Sequence, residues 1–207
     1  TWIPRMELKG GIPEEGKTVC TLSVLLMGED QAERLVRRLE DFRLANRDAG
    51  ENLRFGLLMD LAENVCASAP LDAAIKEAAE AEIMRLNRLY GGGFCLLTRQ
   101  RCYSRSDRIW RGRERKRGAI MDLTGLLRGE HGIVNISGDE DCIRNIRYLI
   151  VLDGDTRLTI GSAASLASVL SHPLQRKQAI LQPKITTALS DAEKSDFARI
   201  FAGQGGL

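Results

Sequence analysis

The sequence predicts an α/β fold in which helices flank a mostly parallel, open sheet. Short runs of β-branched residues or leucine alternate with longer stretches that have a helical period. The segment 147–153 is nearly all apolar, which is typical of a central strand covered on both faces. The chain has 207 residues, of which 43% are hydrophobic, enough to bury one core of ordinary size. We therefore predict a leading segment, 1–18, and a single domain, 19–207.

The individual elements follow from periodicity and from breaker residues. The predicted strands cover 19–27, 53–60, 94–98, 147–153 and 178–185. The predicted helices cover 30–46, 72–90, 117–128, 162–171 and a last segment that starts at Ser190 in a capping-box pattern. Gly91 to Gly93 should end the second helix, because glycine tolerates left-handed geometry. Pro183 should place the last strand at an edge or a bulge.

Composition and charge exclude several classes of protein. The chain has 30 Lys+Arg against 28 Asp+Glu, a net charge of +2, which argues against a dedicated nucleic-acid partner. No apolar run reaches about 18 residues, so we predict no bilayer-spanning segment. The first residues lack the pattern of a signal peptide and an initiator Met, so we expect a piece of a longer protein.

The cysteines point to a reducing compartment. There are five, an odd number without CxxC spacing, and Cys20, Cys95 and Cys142 lie in apolar or strand-like contexts. We interpret them as small apolar side chains rather than as disulfides or zinc ligands. His131 and His172 are likewise assigned structural roles. There is no P-loop, GxGxxG or Ser/His/Asp motif.

The candidate chemistry begins at Asp153 and Asp155, which follow the apolar run 147–153. Ligands of open α/β sheets bind beyond the carboxyl ends of the strands. Two carboxylates at this spacing can reach one Mg²⁺ or Mn²⁺ ion, which can in turn hold a diphosphate. A solvated turn that carries two acids is the alternative. Asp60 closes another predicted strand and could bind a base or ribose, or equally cap a turn.

A basic run lies between these acids. Its cations, interleaved with Tyr103 and Trp110, are Arg99, Arg101, Arg105, Arg108, Arg111, Arg113, Arg115, Lys116 and Arg117. They could line a groove for phosphate or nucleic acid, but composition alone favours a solvated loop. Lys116 is more specific, because it opens a predicted helix whose free N–H groups would favour an anion.

These segments together resemble the glycosyltransferase part of the cyclic β-1,2-glucan synthases. The matching blocks, in order, are Arg38-Leu39-Glu40, Leu44-Ala45-Asn46, Leu57-Leu58-Met59-Asp60, 110–118, 148–156 and Ser171-His172-Pro173-Leu174. The resemblance covers nearly the whole chain and implies a Rossmann-like, GT-A-type donor domain of a large membrane enzyme. It also implies a cytoplasmic location on the inner membrane.

The resemblance implies an inverting glucosyltransferase that uses UDP-glucose and a glucan acceptor. Asp60 would contact the uridine, Lys116 the uridine or diphosphate, and Ser23 with Val24 would lie beside the uracil. Asp153 and Asp155 would bind the metal–diphosphate unit, with Asp153 nearer the sugar.

The sequence also departs from the family pattern. Gly154 replaces the alanine of the usual Asp-Ala-Asp and should give the loop more freedom. Arg113 stands where an aromatic residue is expected. The general base and the Gln/Arg/Trp acceptor motif are expected beyond Leu207, so we expect a donor-binding part that transfers no sugar by itself. A non-catalytic nucleotide-binding or scaffold module of the same fold is the alternative.

Overall fold

A computed structural model describes residues 3–130 and 132–183, and every structural statement below concerns those residues. The strands are β1 (Thr18–Leu26), β2 (Leu53–Leu61), β3 (Phe94–Arg99), β4 (Cys102–Ser104), β5 (Ile109–Arg111), β6 (Val134–Gly138) and β7 (Tyr148–Asp153). The helices are α1 (Glu29–Ala45), α2 (Asp72–Tyr90), α3 (Arg115–Leu127) and α4 (Ser162–Ser171).

Five strands form one sheet in the order β6-β3-β2-β1-β7. The neighbours among β3, β2, β1 and β7 are parallel, and only β6 runs antiparallel, beside β3. β4 and β5 form a separate antiparallel hairpin. The predicted α/β class, a mostly parallel sheet flanked by helices, is therefore confirmed and is consistent with a Rossmann-like fold.

Apolar residues on both faces of the sheet hold the helices in place. α1 and α2 cover one face, where Leu39, Phe42 and Ile83 belong to the larger core cluster. α3 covers the other face through Ala119 and Leu123. The helical stripes seen in the sequence thus face the sheet, because burial of apolar area is the main stabilising contribution to such packing.

β7 is an edge strand of the sheet, so the prediction of a central position was wrong. Among the described residues it pairs with β1 alone. Tyr148, Ile150 and Leu152 pack against the larger core cluster, whereas Leu149 packs against the smaller one. An apolar run indicates that both faces of a strand are covered by other residues. It does not indicate whether a neighbouring strand is hydrogen-bonded on each side.

The carboxyl-terminal part of the chain also departs from expectation. Residues 178–183, the described part of the predicted strand 178–185, form no strand, and most of them are exposed. Pro183 lacks a backbone donor, and Ile180 of this segment is 84% exposed. The helix predicted from Ser190 lies outside the described residues, as does His131. Nδ1 of His172 accepts a hydrogen bond from the Leu174 N–H at 3.2 Å, a local structural contact.

All five cysteines are free thiols, and Cys20, Cys95 and Cys142 are fully buried. The interpretation of these three as small apolar side chains is therefore confirmed. Burial raises the pKa of the Cys20 thiol far above its ordinary value. No helix within 3–130 or 132–183 combines the length and the apolar character that crossing a bilayer requires.

Candidate functional site

The carboxyl edge of the sheet gathers the predicted site residues of three strands. Ser23 and Val24 lie near the end of β1, Asp60 is the penultimate residue of β2, and Asp153 is the last residue of β7. In the parallel register Leu25 is paired with Asp60, and Ser23 with Asp153. The two acids thus flank β1, and their backbones are on the order of 10 Å apart, since adjacent strands are about 4.8 Å apart.

Lys116 reaches this edge from the start of α3. Ala119 and Leu123 of the same helix are buried against the sheet, and the first turn of α3 brings Lys116 to Asp153 at the end of β7. The Lys116 ammonium donates to Oδ1 of Asp153, and the two form an ion pair. Their side chains are 44% and 57% exposed, so the pair is accessible to a ligand.

Asp155 lies on the other side of the same loop, next to α1. It lines a cleft of about 500 Å³ together with Arg38, Asp41, Phe42, Ala45, Arg157 and Leu158. Nη2 of Arg38 donates to the carbonyl oxygen of Thr156 at 2.7 Å and fastens the loop to α1. Burial and the nearby Arg157 lower the pKa of Arg38, whereas Asp155 and Asp41 raise it. Asp153 therefore lies next to Lys116, whereas Asp155 lies next to Arg38.

The loop after β7 offers carboxylate oxygens, but the structure directs Asp153 to Lys116 and Asp155 to Arg38 and does not bring the two carboxylates together. Asp153 and Asp155 both end in exposed carboxylates, which are the ligand type that Mg²⁺ and Mn²⁺ prefer. In the part of the chain that the structure describes, no group of three His, Cys, Asp or Glu side chains could hold a metal. A cation here would complete its shell with water and phosphate oxygens, as Mg²⁺ commonly does.

Asp60 is held within β2, so the alternative that it caps a turn was wrong. Its Oδ1 lies 2.7 Å from Nε of Arg99, and its side chain is only 13% exposed. Burial raises the pKa of the Asp60 carboxyl, Arg99 opposes this rise, and the nearby Asp122 adds to it.

Two cations of the basic run are buried and paired with acids, so its interpretation as a solvated loop was wrong for Arg99 and Arg101. Arg99 is fully buried, and Arg101 is 4% exposed. Trp110 of β5 exchanges backbone hydrogen bonds with Asn64 and joins the hairpin to the segment after β2. Acidic partners are present for several of the cations: Asp60 and Asp122 for Arg99, Asp72 for Arg101, Asp107 for Arg111, Asp153 for Lys116 and Glu114 for Arg117.

Sequence analysis did not single out Arg99 from the other cations of the run. A usable signal was present: Arg99 follows the apolar strand 94–98 directly, as Asp60 follows its own apolar run. Charged residues at the carboxyl ends of two neighbouring parallel strands are brought to one edge of the sheet.

The chain was compared with known proteins. It is 34% identical to the cyclic beta-(1,2)-glucan synthase NdvB of Rhizobium meliloti (strain 1021), in an alignment of 218 residues that takes in 97% of this chain. The chain is related to a segment of NdvB. It spans 8% of the length of that protein. No protein-family model matches the chain.

The alignment with NdvB spans the whole site. An alignment over 97% of the chain leaves only a few residues outside, so the carboxyl edge from Ser23 to Asp155 falls within it. At Arg113, where the family resemblance led us to expect an aromatic residue, the carbonyl oxygen accepts a hydrogen bond from Arg99 Nη2 at 2.8 Å. This contribution of residue 113 is made by the backbone and does not depend on the side chain.

Proposed function

We propose that this chain binds UDP-glucose at the carboxyl edge of its sheet, as the donor-binding part of an inverting glucosyltransferase that builds a cyclic or linear β-1,2-glucan. One observation carries the proposal: Asp60 and the Lys116–Asp153 ion pair flank the end of β1, where open α/β sheets bind ligands. The 34% identity to a segment of a cyclic glucan synthase supports the choice of ligand.

In this proposal the nucleoside lies over the ends of β1 and β2. Asp60 accepts hydrogen bonds from the uridine, a role that needs the carboxylate form. Ser23 and Val24 are half-buried and would offer mainly backbone groups beside the uracil. Arg99 keeps a positive charge next to Asp60 and so favours its ionised state, against the effect of burial.

The diphosphate would lie between Lys116 and the loop after β7. An exposed ion pair contributes at most about 1 kcal/mol to the free energy of folding. The Lys116–Asp153 pair can therefore separate at little cost when each side chain binds a group of the ligand instead. Lys116 would then bind a phosphate oxygen. Asp153 and Asp155 would hold the divalent cation, which when bound stabilises the negative charge of the departing UDP.

The remaining partners follow from the same proposal. The acceptor is a growing glucan, and the chain works within a larger membrane synthase, on its cytoplasmic side. The small share of NdvB that the chain spans supports the view that acceptor sites belong to other segments of such a protein.

Titration calorimetry with UDP and Mn²⁺ tests the proposal. We expect weak, metal-dependent binding that Asp155→Ala reduces at least tenfold. Glu140→Ala is the matched control, because Glu140 is an exposed acid paired with Arg144 outside the site. Absence of UDP binding, or unchanged binding in Asp155→Ala, would contradict the proposal. Metal-independent binding, or a preference for ADP over UDP, would instead favour a non-catalytic nucleotide-binding module.

A further inference from the structure

Arg99 ends β3 with a guanidinium group that is fully buried and contacts four other residues. Its Nε lies 2.7 Å from Asp60 Oδ1, and its Nη1 lies 3.3 Å from Asp122 Oδ2 on α3. Its Nη2 donates to the Arg113 carbonyl oxygen at 2.8 Å, and its Nη1 to that of Arg115 at 3.2 Å. One side chain thus connects β2, β3, α3 and the segment that leads into α3.

The segment 112–118 is shaped to close over this guanidinium. A Cβ atom at Gly112 would overlap Nη2 of Arg99 and lie 2.7 Å from Asp60 Oδ2. A Cβ atom at Gly118 would overlap the Arg113 carbonyl oxygen and lie 3.0 Å from Nη1 of Arg99. The two glycines are therefore required for space, because the backbone passes directly over the buried charge.

The same hydrogen bonds stabilise an unfavourable backbone just before Lys116. Glu114 and Arg115 both have positive φ values, 55° and 48°, which residues other than glycine rarely adopt. Such a conformation persists only where surrounding contacts determine it. Arg99 binds the carbonyl oxygens of Arg113 and Arg115, on either side of the first strained residue. Arg99 therefore fixes the path by which the chain reaches Lys116.

We propose that Arg99 is a positioning residue that holds Asp60 and Lys116 in one arrangement, so that the nucleoside and the diphosphate of a single ligand are bound together. The inference rests on the proposed function, in which Asp60 binds uridine and Lys116 binds phosphate. A planar guanidinium serves this role because it can form an ion pair with the Asp60 carboxylate while it donates hydrogen bonds to two carbonyl groups. A lysine would supply the positive charge but could not contact the carboxylate and both carbonyl groups at the same time.

The test compares the affinities for UDP and for uridine, each with Mn²⁺, in the wild type, Arg99→Met and Arg99→Lys. We expect Arg99→Met to lose at least tenfold in affinity for both ligands. Arg99→Lys should recover uridine binding, because it restores the charge beside Asp60, yet keep a several-fold loss for UDP. Arg54→Met is the matched control, since Arg54 is a strand arginine whose partner, Asp141, lies at the opposite end of the sheet.

The pH profile of UDP binding separates positioning from a general loss of structure. The charged groups that face Asp60 are Arg99 from β3 and Asp122 from α3. Without Arg99 the Asp60 carboxyl should take up a proton at higher pH, so affinity should fall at a higher pH in Arg99→Met than in the wild type or Arg99→Lys. A structural defect alone would lower affinity equally at every pH.

The outcomes distinguish the two proposals. A wild-type chain that does not bind UDP contradicts the proposed function itself. A wild type that binds, together with an Arg99→Met variant of unchanged affinity and pH profile, contradicts the positioning role. If urea unfolding and circular dichroism show that Arg99→Met does not fold, the Arg99→Lys variant provides the test. The inference would be overturned if Arg99→Lys bound both UDP and uridine with the same affinity as the wild type.

Discussion

Val24 on β1 leaves little room for a side chain at Gly154, in the loop after β7. A Cβ atom at position 154 would lie 3.2 Å from Cγ1 of Val24, closer than an ordinary van der Waals contact. The φ angle of Gly154 is outside the left-handed region, so an alanine could adopt the backbone conformation. At this position the family resemblance led us to expect the alanine of Asp-Ala-Asp, and here a methyl group would press against Val24.

This contact predicts that the effect of Gly154→Ala on stability depends on Val24. In the wild type the added methyl group should meet Val24, and overpacking opposes the entropic benefit of replacing glycine. In a Val24→Ala background the clash is absent. The double-mutant cycle should show a favourable coupling of about 1 kcal/mol in the free energy of unfolding. Urea unfolding of the four proteins measures it, and strictly additive changes would contradict the contact.

A control for this cycle is available in the chain. Gly132 also has an ordinary φ, and a Cβ atom there would meet nothing within 4 Å. Gly132→Ala should therefore change the free energy of unfolding by no more than about 0.5 kcal/mol and show no coupling to Val24→Ala.

Lys116 and Arg117 are adjacent cations that should differ in function. Lys116→Ala should lower the affinity for UDP with Mn²⁺ at least tenfold and leave the affinity for uridine nearly unchanged. Arg117→Ala, which removes an 80% exposed side chain paired with Glu114, should affect neither. Both ion pairs are exposed, so each variant should change the free energy of unfolding by less than about 1 kcal/mol. Calorimetry together with urea unfolding checks this, and equal losses of UDP affinity would contradict the role of Lys116.

The Arg101–Asp72 pair predicts a pH dependence of stability. Two N–H groups of Arg101 donate to the Asp72 carboxylate at 2.5 and 2.8 Å. These bonds hold the pKa of Asp72 below its ordinary value, against an opposing effect of burial. The stabilisation is therefore complete above the unfolded pKa, about 3.9, and is lost as the pH falls through the lower folded pKa.

Asp72→Asn should accordingly lower the free energy of unfolding at pH 7 by about 2 kcal/mol, since a hydrogen-bonded charge pair is lost. It should also make stability less dependent on pH below about 5. Urea unfolding from pH 3 to 7 measures both effects. Asp107→Asn is the comparison: its pair with Arg111 is exposed to solvent, so the loss of stability should be smaller than for Asp72→Asn. An identical pH slope in wild type and Asp72→Asn would contradict the assignment.

Much of the fold was predictable because its signals are local. The predicted bounds of α2 and α4, 72–90 and 162–171, match the structure. Gly91 ends α2 in the left-handed conformation, with φ of 75°, as the glycine run indicated. β6 and the β4–β5 hairpin were not predicted, because their strands are short and mixed in composition, so that neighbouring segments stabilise them.

The sequence by itself determined which residues could meet at the carboxyl edge, since Asp60, Lys116, Asp153 and Asp155 each follow or open a recognisable element. Only the tertiary structure decided how they are arranged. It pairs Lys116 with Asp153, turns Asp155 towards Arg38, and buries Arg99 beneath Gly112 and Gly118. The physical reason is that periodicity reflects local backbone geometry and burial. An ion pair instead requires residues that are far apart in the chain, such as Asp60, Arg99 and Asp122, to meet in space.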